Sequence, residues 1–253
     1  MSIAVSKPSF QSLYIEMQAN GLRISSGTAF IVLGPTGKGF LLTNRHNVTG
    51  RDQETNEPLC KKTSAVPDAI VIWHNSSAEL GQFHQVSVPL YFKTEARWIE
   101  HPSWGKEADL VALPISKRPD IVFHPYSVDG LSHLLIEPAQ TVSIVGFPFG
   151  EKTGASFAVW ATGFVASEPS INHGKRPVFL VDCRGRKGQS GSPVILHRNL
   201  KDIINEGIPE EERSILLGIY SGRINEESDL GIVWKAYMIA ELVAYADAMC
   251  AAS

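Results

Sequence analysis

Apolar runs of strand length, rich in β-branched residues and mostly separated by glycine, proline, asparagine or aspartate, recur along this 253-residue chain. They fall at residues 28–33, 40–43, 69–73, 86–92, 110–114, 141–147, 157–162, 178–183, 193–197, 215–220 and 231–234. Short strands at that spacing, with turn signals between them, predict a β-barrel or a sandwich. A chain of this length buries a sizeable core without staples, as one large all-β domain or two small ones sharing an interface. The tail breaks the pattern: residues 236–249 carry Ile239, Leu242, Val243 and Ala246 at a three-and-four spacing, which predicts an amphipathic helix. Residues 117–138, with Pro119, Pro125 and Gly130, read as a crossover between two halves. Residues 201–213, with the run Glu210-Glu211-Glu212, read as an exposed loop.

Charge and cysteine usage narrow the function classes. Twenty-three Lys and Arg against 26 Asp and Glu leave a net charge of -3, so no overall basic field exists to hold nucleic acid or an anionic membrane. The first ten residues lack the positive start and unbroken apolar core of a signal peptide, and no segment reaches the length of a membrane span. Cys60, Cys183 and Cys250 are an odd count at wide spacing, which suits a reducing compartment, so the expected location is the cytoplasm. The histidines show no His-x-x-x-His spacing and the cysteines do not pair closely, so neither a metal nor another cofactor is expected.

Acyl transfer by a serine needs an exposed hydroxyl, an imidazole to take its proton, an acid to fix that imidazole, and backbone donors for the oxyanion. A candidate for each is present. Ser190 lies in Gly188-Gln189-Ser190-Gly191-Ser192-Pro193, where the glycines permit a sharp turn with successive N–H groups aimed at one point. His46 directly follows the apolar run 40–43, at a strand end from which a rigid sheet aims it. Asp109 precedes the apolar run 110–114, a placement that buries an acid and requires it to find a partner. Each signal alone also fits a plain turn, a surface or core histidine, or a structural ion pair; their chain order, His, Asp, Ser, is what joins them.

With these segments the chain resembles the trypsin-like (chymotrypsin-fold) serine peptidases from about residue 26 to the C-terminal helix. Ser26-Gly27-Thr28-Ala29-Phe30-Ile31-Val32 and Leu41-Leu42-Thr43-Asn44-Arg45-His46 resemble the strands leading into the family's catalytic histidine. Ala108-Asp109-Leu110-Val111 resembles its acid-bearing segment, and Leu217-Gly218-Ile219-Tyr220-Ser221-Gly222 the strand that lines its substrate. The resemblance implies an all-β fold of two six-stranded antiparallel barrels with a C-terminal helix. The first barrel (residues 1–125) would carry His46 and Asp109, the second (126–235) Ser190, and residues 236–253 the helix. It implies a serine endopeptidase with a His46, Asp109, Ser190 triad and an oxyanion hole of the Gly188 and Ser190 N–H groups. Ser221 and Gly222 would pair with an extended peptide substrate, and a regulatory protein partner is left open.

Two departures from the family carry consequences. Gln189 stands where members activated from zymogens carry an aspartate that pairs with a freed N-terminal amine, so the chain is expected to be competent as made. Asn47 follows His46 where secreted members carry a cysteine. Six residues before the serine, at the usual floor of the specificity pocket, stands Arg184; it would favour an acidic side chain, or with Arg186 and Lys187 is a solvated loop charge. The rival reading from another class is a catalytically silent domain of the same fold that binds protein partners. An esterase elbow is disfavoured because position 192 is serine and the flanking runs are strands. Gly34-Pro35-Thr36-Gly37-Lys38-Gly39 lacks the spacing of a phosphate loop and predicts a hairpin turn.

Overall fold

The computed structural model describes residues 5–61, 63–128, 136–199, 204, 207, 213–225 and 227–252. After a short helix at Lys7–Gln11, β1 (Ser12–Ala19) turns back into β2 (Leu22–Leu33) through Asn20-Gly21. Both turn residues have left-handed φ, 52° and 75°, the two-residue geometry whose twist matches that of the strands it joins. β3 (Gly39–Thr43) pairs with β2 across the turn at Gly34 to Lys38, where Gly34 N–H and Lys38 C=O close the hairpin at 2.9 Å. β4 (Ala69–Ser76), β5 (Phe83–Pro89), β6 (Tyr91–Phe92), β7 (Glu95–Ala96), β8 (Ile99–Glu100), β9 (Val111–Ile115) and β10 (Ile121–Val122) complete the first half. Its main sheet has eight strands in the order β10-β4-β1-β2-β3-β9-β8, with β5 added on β4.

The second half is a closed barrel of six strands. β11 (Thr141–Gly146), β12 (Val159–Val165), β13 (Val178–Asp182), β14 (Pro193–His197), β15 (Ser214–Arg223) and β16 (Leu230–Lys235) close in the order β11-β12-β13-β16-β15-β14. Closure leaves this sheet no open edge among its full-length ladders. The fold is thus mostly β with one closed six-stranded barrel and a helix, Ala236–Ala252, at the C-terminal end.

The first half departs from the expected six-stranded barrel: its sheet holds eight strands, and its two end strands, β8 and β10, are not paired with each other. Each is only two residues long. β1 was also absent from the strand pattern read in the sequence. The expected crossover at 117–138 contains β10 and Tyr126, which bridges to Val32, while residues 129–135 lie outside the described residues. The acidic loop expected at 201–213 lies outside them too, apart from Ile204, Gly207 and Arg213.

Three apolar clusters hold the fold. One fills the first sheet around Ile15, Ile31, Leu41, Ile70 and Leu113, and another fills the barrel around Val142, Ile144, Val181 and Val194. The third joins the halves: Tyr14, Phe30, Phe40 and Leu42 from the first meet Val145, Phe147, Ile195 and Trp234 from the second, all buried. Met238, Ile239, Leu242, Val243 and Ala246 of the C-terminal helix complete it, the face that the three-and-four spacing predicted. The helix is pinned by buried Asp247, which accepts bonds from Thr36 N–H at 2.8 Å and Thr36 Oγ1 at 2.6 Å. The site below lies where this shared core reaches the surface.

Candidate active site

β3 ends at Thr43, and the chain turns into one helical turn, Arg45–Thr49, so His46 is carried on that turn immediately beyond the strand. Asn44 is buried there and donates through its side chain to the Asp109 carbonyl at 2.6 Å, tying the turn to the start of β9. Asp109 is 1% exposed. Its Oδ1 accepts the His46 backbone N–H at 3.0 Å, and its Oδ2 lies 2.7 Å from His46 Nδ1. The Ser221 hydroxyl donates to the same Oδ2. A buried carboxylate with three donors around it has its desolvation offset by charge-assisted hydrogen bonds.

The protonation equilibria follow from this packing. Burial pulls the His46 imidazolium toward losing its proton, but the Asp109 charge and hydrogen bond outweigh it, with a smaller contribution from Asp52, and the pKa is raised above 6.5. Burial pushes Asp109 up, while the His46 charge and the bonds from His46 and Ser221 hold it below the usual carboxylate range. The two directions agree: the pair favours imidazolium facing carboxylate.

Ser190 belongs to a loop before β14 that the first half of the molecule holds. Thr28 N–H donates to the Ser190 carbonyl at 3.0 Å, and Asn47 Nδ2 donates to the same oxygen at 3.2 Å. The Thr28 hydroxyl donates to Gly188 C=O at 2.8 Å and accepts Phe147 N–H at 3.2 Å. Within the loop, Gln189 closes the turn on itself: its N–H donates to Arg186 C=O at 3.1 Å, and its buried Oε1 accepts Arg186 N–H at 2.7 Å. At the position that carries an aspartate in zymogen-activated relatives, Gln189 thus makes neutral, local bonds through its N–H and Oε1, while its buried Nε2 has no partner among the described residues. Gly188 sits at φ +94°, which an L side chain strains to reach, and an added Cβ would run into the Phe147 carbonyl.

The Lys187 carbonyl accepts Phe149 N–H at 2.6 Å. Across a trans peptide the C=O and the next N–H point in opposite directions, so Gly188 N–H is turned away from Phe149. Among the described residues, neither Gly188 N–H nor Ser190 N–H donates to a protein acceptor. Ser190 Oγ donates to the Ser221 carbonyl at 3.4 Å rather than to His46. Ser221 therefore touches both the serine, through its carbonyl, and the aspartate, through its hydroxyl.

A cleft of about 380 Å³ opens over His46, Asp109 and Ser221. Asp52, Glu54 and Leu59 line it from the first half, and Arg176, Arg223 and Ile224 from the second. Arg176 and Glu54 approach to 3.5 Å across it. β15 leaves its β14 ladder at Ile219 and runs on through Gly222 and Arg223 paired with β16, at Ile232 and Gly231. Arg184 is exposed and is not among the cleft-lining residues, whereas Ser221 and Gly222 are. Among the described residues, no group of three or more His, Cys, Asp or Glu is placed to hold a metal ion.

Thr28 was not visible as a site residue in the sequence, because its partners Phe147 and Gly188 lie 119 and 160 residues away. Asn47 carried one signal, its place directly after His46.

A family model described as a trypsin-like peptidase domain matches residues 27–200, more than half of the chain. Among curated proteins no sequence match is found. Solved structures give a likeness of fold. A serine endoprotease from Yersinia pestis aligns at 12% identity and TM-score 0.55, covering 96% of this chain and 68% of that one. The active form of the Rv3671c protease from M. tuberculosis aligns at 16% identity and TM-score 0.52, covering 94% and 81%. An inactive serine-to-alanine form of Rv3671c from M. tuberculosis H37Rv aligns at 16% and 0.50, covering 96% and 88%.

Proposed function

Because this chain belongs to the trypsin-like peptidase domain family, we propose that it works as a serine endopeptidase, with Ser190 as nucleophile, His46 as base and Asp109 as its orienting acid. The observation that carries the reading is the buried 2.7 Å contact between His46 Nδ1 and Asp109 Oδ2. It commits Nδ1 to the aspartate and leaves Nε2 bare for a proton.

For catalysis Ser190 Oγ must leave the Ser221 carbonyl and reach His46 Nε2. Catalytic bonds of this kind are commonly long or misaligned before substrate arrives. Oγ then attacks the scissile carbonyl carbon while Nε2 takes its proton, and the oxyanion is received by the Gly188 and Ser190 N–H groups. The imidazolium, stabilised by Asp109, gives that proton to the leaving amine, and an acyl-Ser190 remains. Water, deprotonated by His46, attacks the ester carbonyl, and Ser190 leaves with the proton. Ser221 and Gly222, which line the cleft beyond the end of the β14 ladder, pair with an extended protein substrate by backbone hydrogen bonds. The odd cysteine count, with Cys183 buried and donating to Ala161 C=O at 3.4 Å, supports action in the cytoplasm.

One observation favours a second reading, a silent binding domain: Ser190 Oγ faces Ser221 and not His46. Labelling of the intact, untrimmed chain with a fluorophosphonate probe separates the two. The peptidase reading predicts labelling that Ser190→Ala abolishes, together with hydrolysis of casein. A folded chain that neither labels nor cleaves casein would overturn it in favour of binding.

A further inference from the structure

Lys152 extends from the loop after the Phe147–Gly150 segment of the second half into an aromatic box on the first. Its Nζ lies 3.4 Å from the centroid of the Trp73 ring and 3.8 Å from that of Tyr14. These rings stand on neighbouring strands, since β1 pairs with β4 at Ile15 and Ile72. Tyr14 meets Trp73 edge to face at 5.7 Å and Phe147 edge to face at 5.3 Å, so the box is continuous with the shared core. Glu16 and Arg23 also act on the ammonium, and burial is the main influence lowering its pKa. A cation this close to two aromatic faces is held by their quadrupoles.

The segment that Lys152 anchors is in an uncommon conformation. Phe149 has φ +55° and a ring that is 65% exposed, so its own side chain contributes little packing. A non-glycine residue in that region persists where its surroundings hold it, and such outliers cluster at functional sites. Phe149 N–H is the group that fixes the Lys187 carbonyl at 2.6 Å and turns Gly188 N–H away. The segment is pinned at one end by the Thr28 hydroxyl on Phe147 N–H, and at the other by Lys152 in its box.

Resting on the peptidase reading above, we propose that Lys152 is a positioning residue for acyl transfer. By locking its ammonium between Tyr14 and Trp73, it holds Phe149 N–H on the Lys187 carbonyl and so keeps Gly188 N–H aimed at the oxyanion. It touches neither substrate nor reacting atoms. Its effect is on the step in which charge develops, and not on ground-state binding.

The test compares full-length wild type with Lys152→Met and Lys152→Arg. The readouts are the fluorophosphonate rate constant kinact, the probe's KI, and amide hydrogen exchange over residues 184–190. Removing a whole oxyanion donor costs about 10²–10³-fold, so misaiming one is expected to lower kinact about 10- to 100-fold in Lys152→Met. KI stays within about twofold, because ground-state binding is untouched, and exchange over 184–190 speeds up. Arginine keeps the cation on the rings, so Lys152→Arg recovers to within about threefold of wild type. Unchanged kinact in Lys152→Met, a loss that lies in KI, or no recovery in Lys152→Arg would overturn the proposal. Should Lys152→Met not fold, Trp73→Phe, which keeps a weaker ring face, gives the same split with a smaller drop, and its absence overturns the proposal equally. If wild type itself does not label, the peptidase reading fails; unchanged exchange over 184–190 in the variants then overturns the latch by itself.

Discussion

Thr28→Val replaces a buried hydroxyl by a methyl group of similar size at the contact between the two halves. The hydroxyl makes two bonds, to Gly188 C=O at 2.8 Å and from Phe147 N–H at 3.2 Å. The first loss costs about 1 kcal/mol net, and a buried N–H left unpaired costs roughly 1–3 kcal/mol more, so the sum is about 3 kcal/mol. For a chain of this size that corresponds to a fall of about 6–12 °C in Tm. The backbone bond from Thr28 N–H to Ser190 C=O survives, so the nucleophile loop stays attached while Gly188 loses a restraint. Thermal melting followed by circular dichroism checks this, beside Thr28→Ser, which keeps both bonds and melts within about 4 °C of wild type. A valine variant that melts with wild type would refute the claim that this hydroxyl couples the halves.

Asp109→Asn leaves the imidazole without its orienting charge and lowers kcat by about 10⁴-fold on casein or a peptide substrate; a loss under about tenfold would count against the assigned role. His46 must be neutral to accept the Ser190 proton, and its pKa is raised above 6.5 by Asp109, so activity is lost as pH falls and the acid limb has its midpoint above pH 6.5. In a pH–rate profile of Asp109→Asn, that midpoint moves down, because burial alone favours neutral imidazole; an unmoved midpoint would contradict the coupling. Asp247→Ala removes the two bonds to Thr36 and costs roughly 2–4 kcal/mol, since hydrogen bonds to charged groups contribute about 1.5–3 kcal/mol each and partly share one carboxylate. Urea unfolding reads that loss, and labelling of the surviving folded fraction stays unchanged.

Much of the barrel was legible in the sequence because its strands are β-branched runs bounded by turn residues, as at Val178–Asp182 and Pro193–His197. β1 escaped because Leu13, Glu16, Met17, Gln18 and Ala19 favour helix at least as well as strand; pairing with both β2 and β4 makes it a strand. The Asn20-Gly21 dipeptide was the local signal for that hairpin. Closure of the first sheet was beyond the sequence pattern, since it depends on whether two-residue end strands meet. At the site, His46, Asp109 and Ser190 were candidates only together, through their chain order, since each local context also fits a plain turn, an ordinary histidine or a structural ion pair; the structure brings His46 and Asp109 into contact and turns Ser190 Oγ to Ser221. The groups that hold the serine loop were harder to see: Thr28 and Lys152 act through contacts far away in the chain, and a threonine in a strand or a lysine in a loop has no local mark of that role, while Asn47 was marked only by its place directly after His46. Gln189 was legible as a substitution for an aspartate, yet its bonds to Arg186 had to be seen.

In the proposed cycle Ser190 is acylated with His46 as base, and trapping that ester measures it directly. Mixing the full chain with p-nitrophenyl acetate and quenching in acid, which protonates His46 and stops deacylation, is expected to show a burst of about one p-nitrophenol per chain. Peptide mapping is expected to find the acetyl group on Ser190, and both signals vanish in Ser190→Ala and His46→Ala. No burst from the folded chain, or an acetyl group carried elsewhere with Ser190 unmodified, would contradict the account.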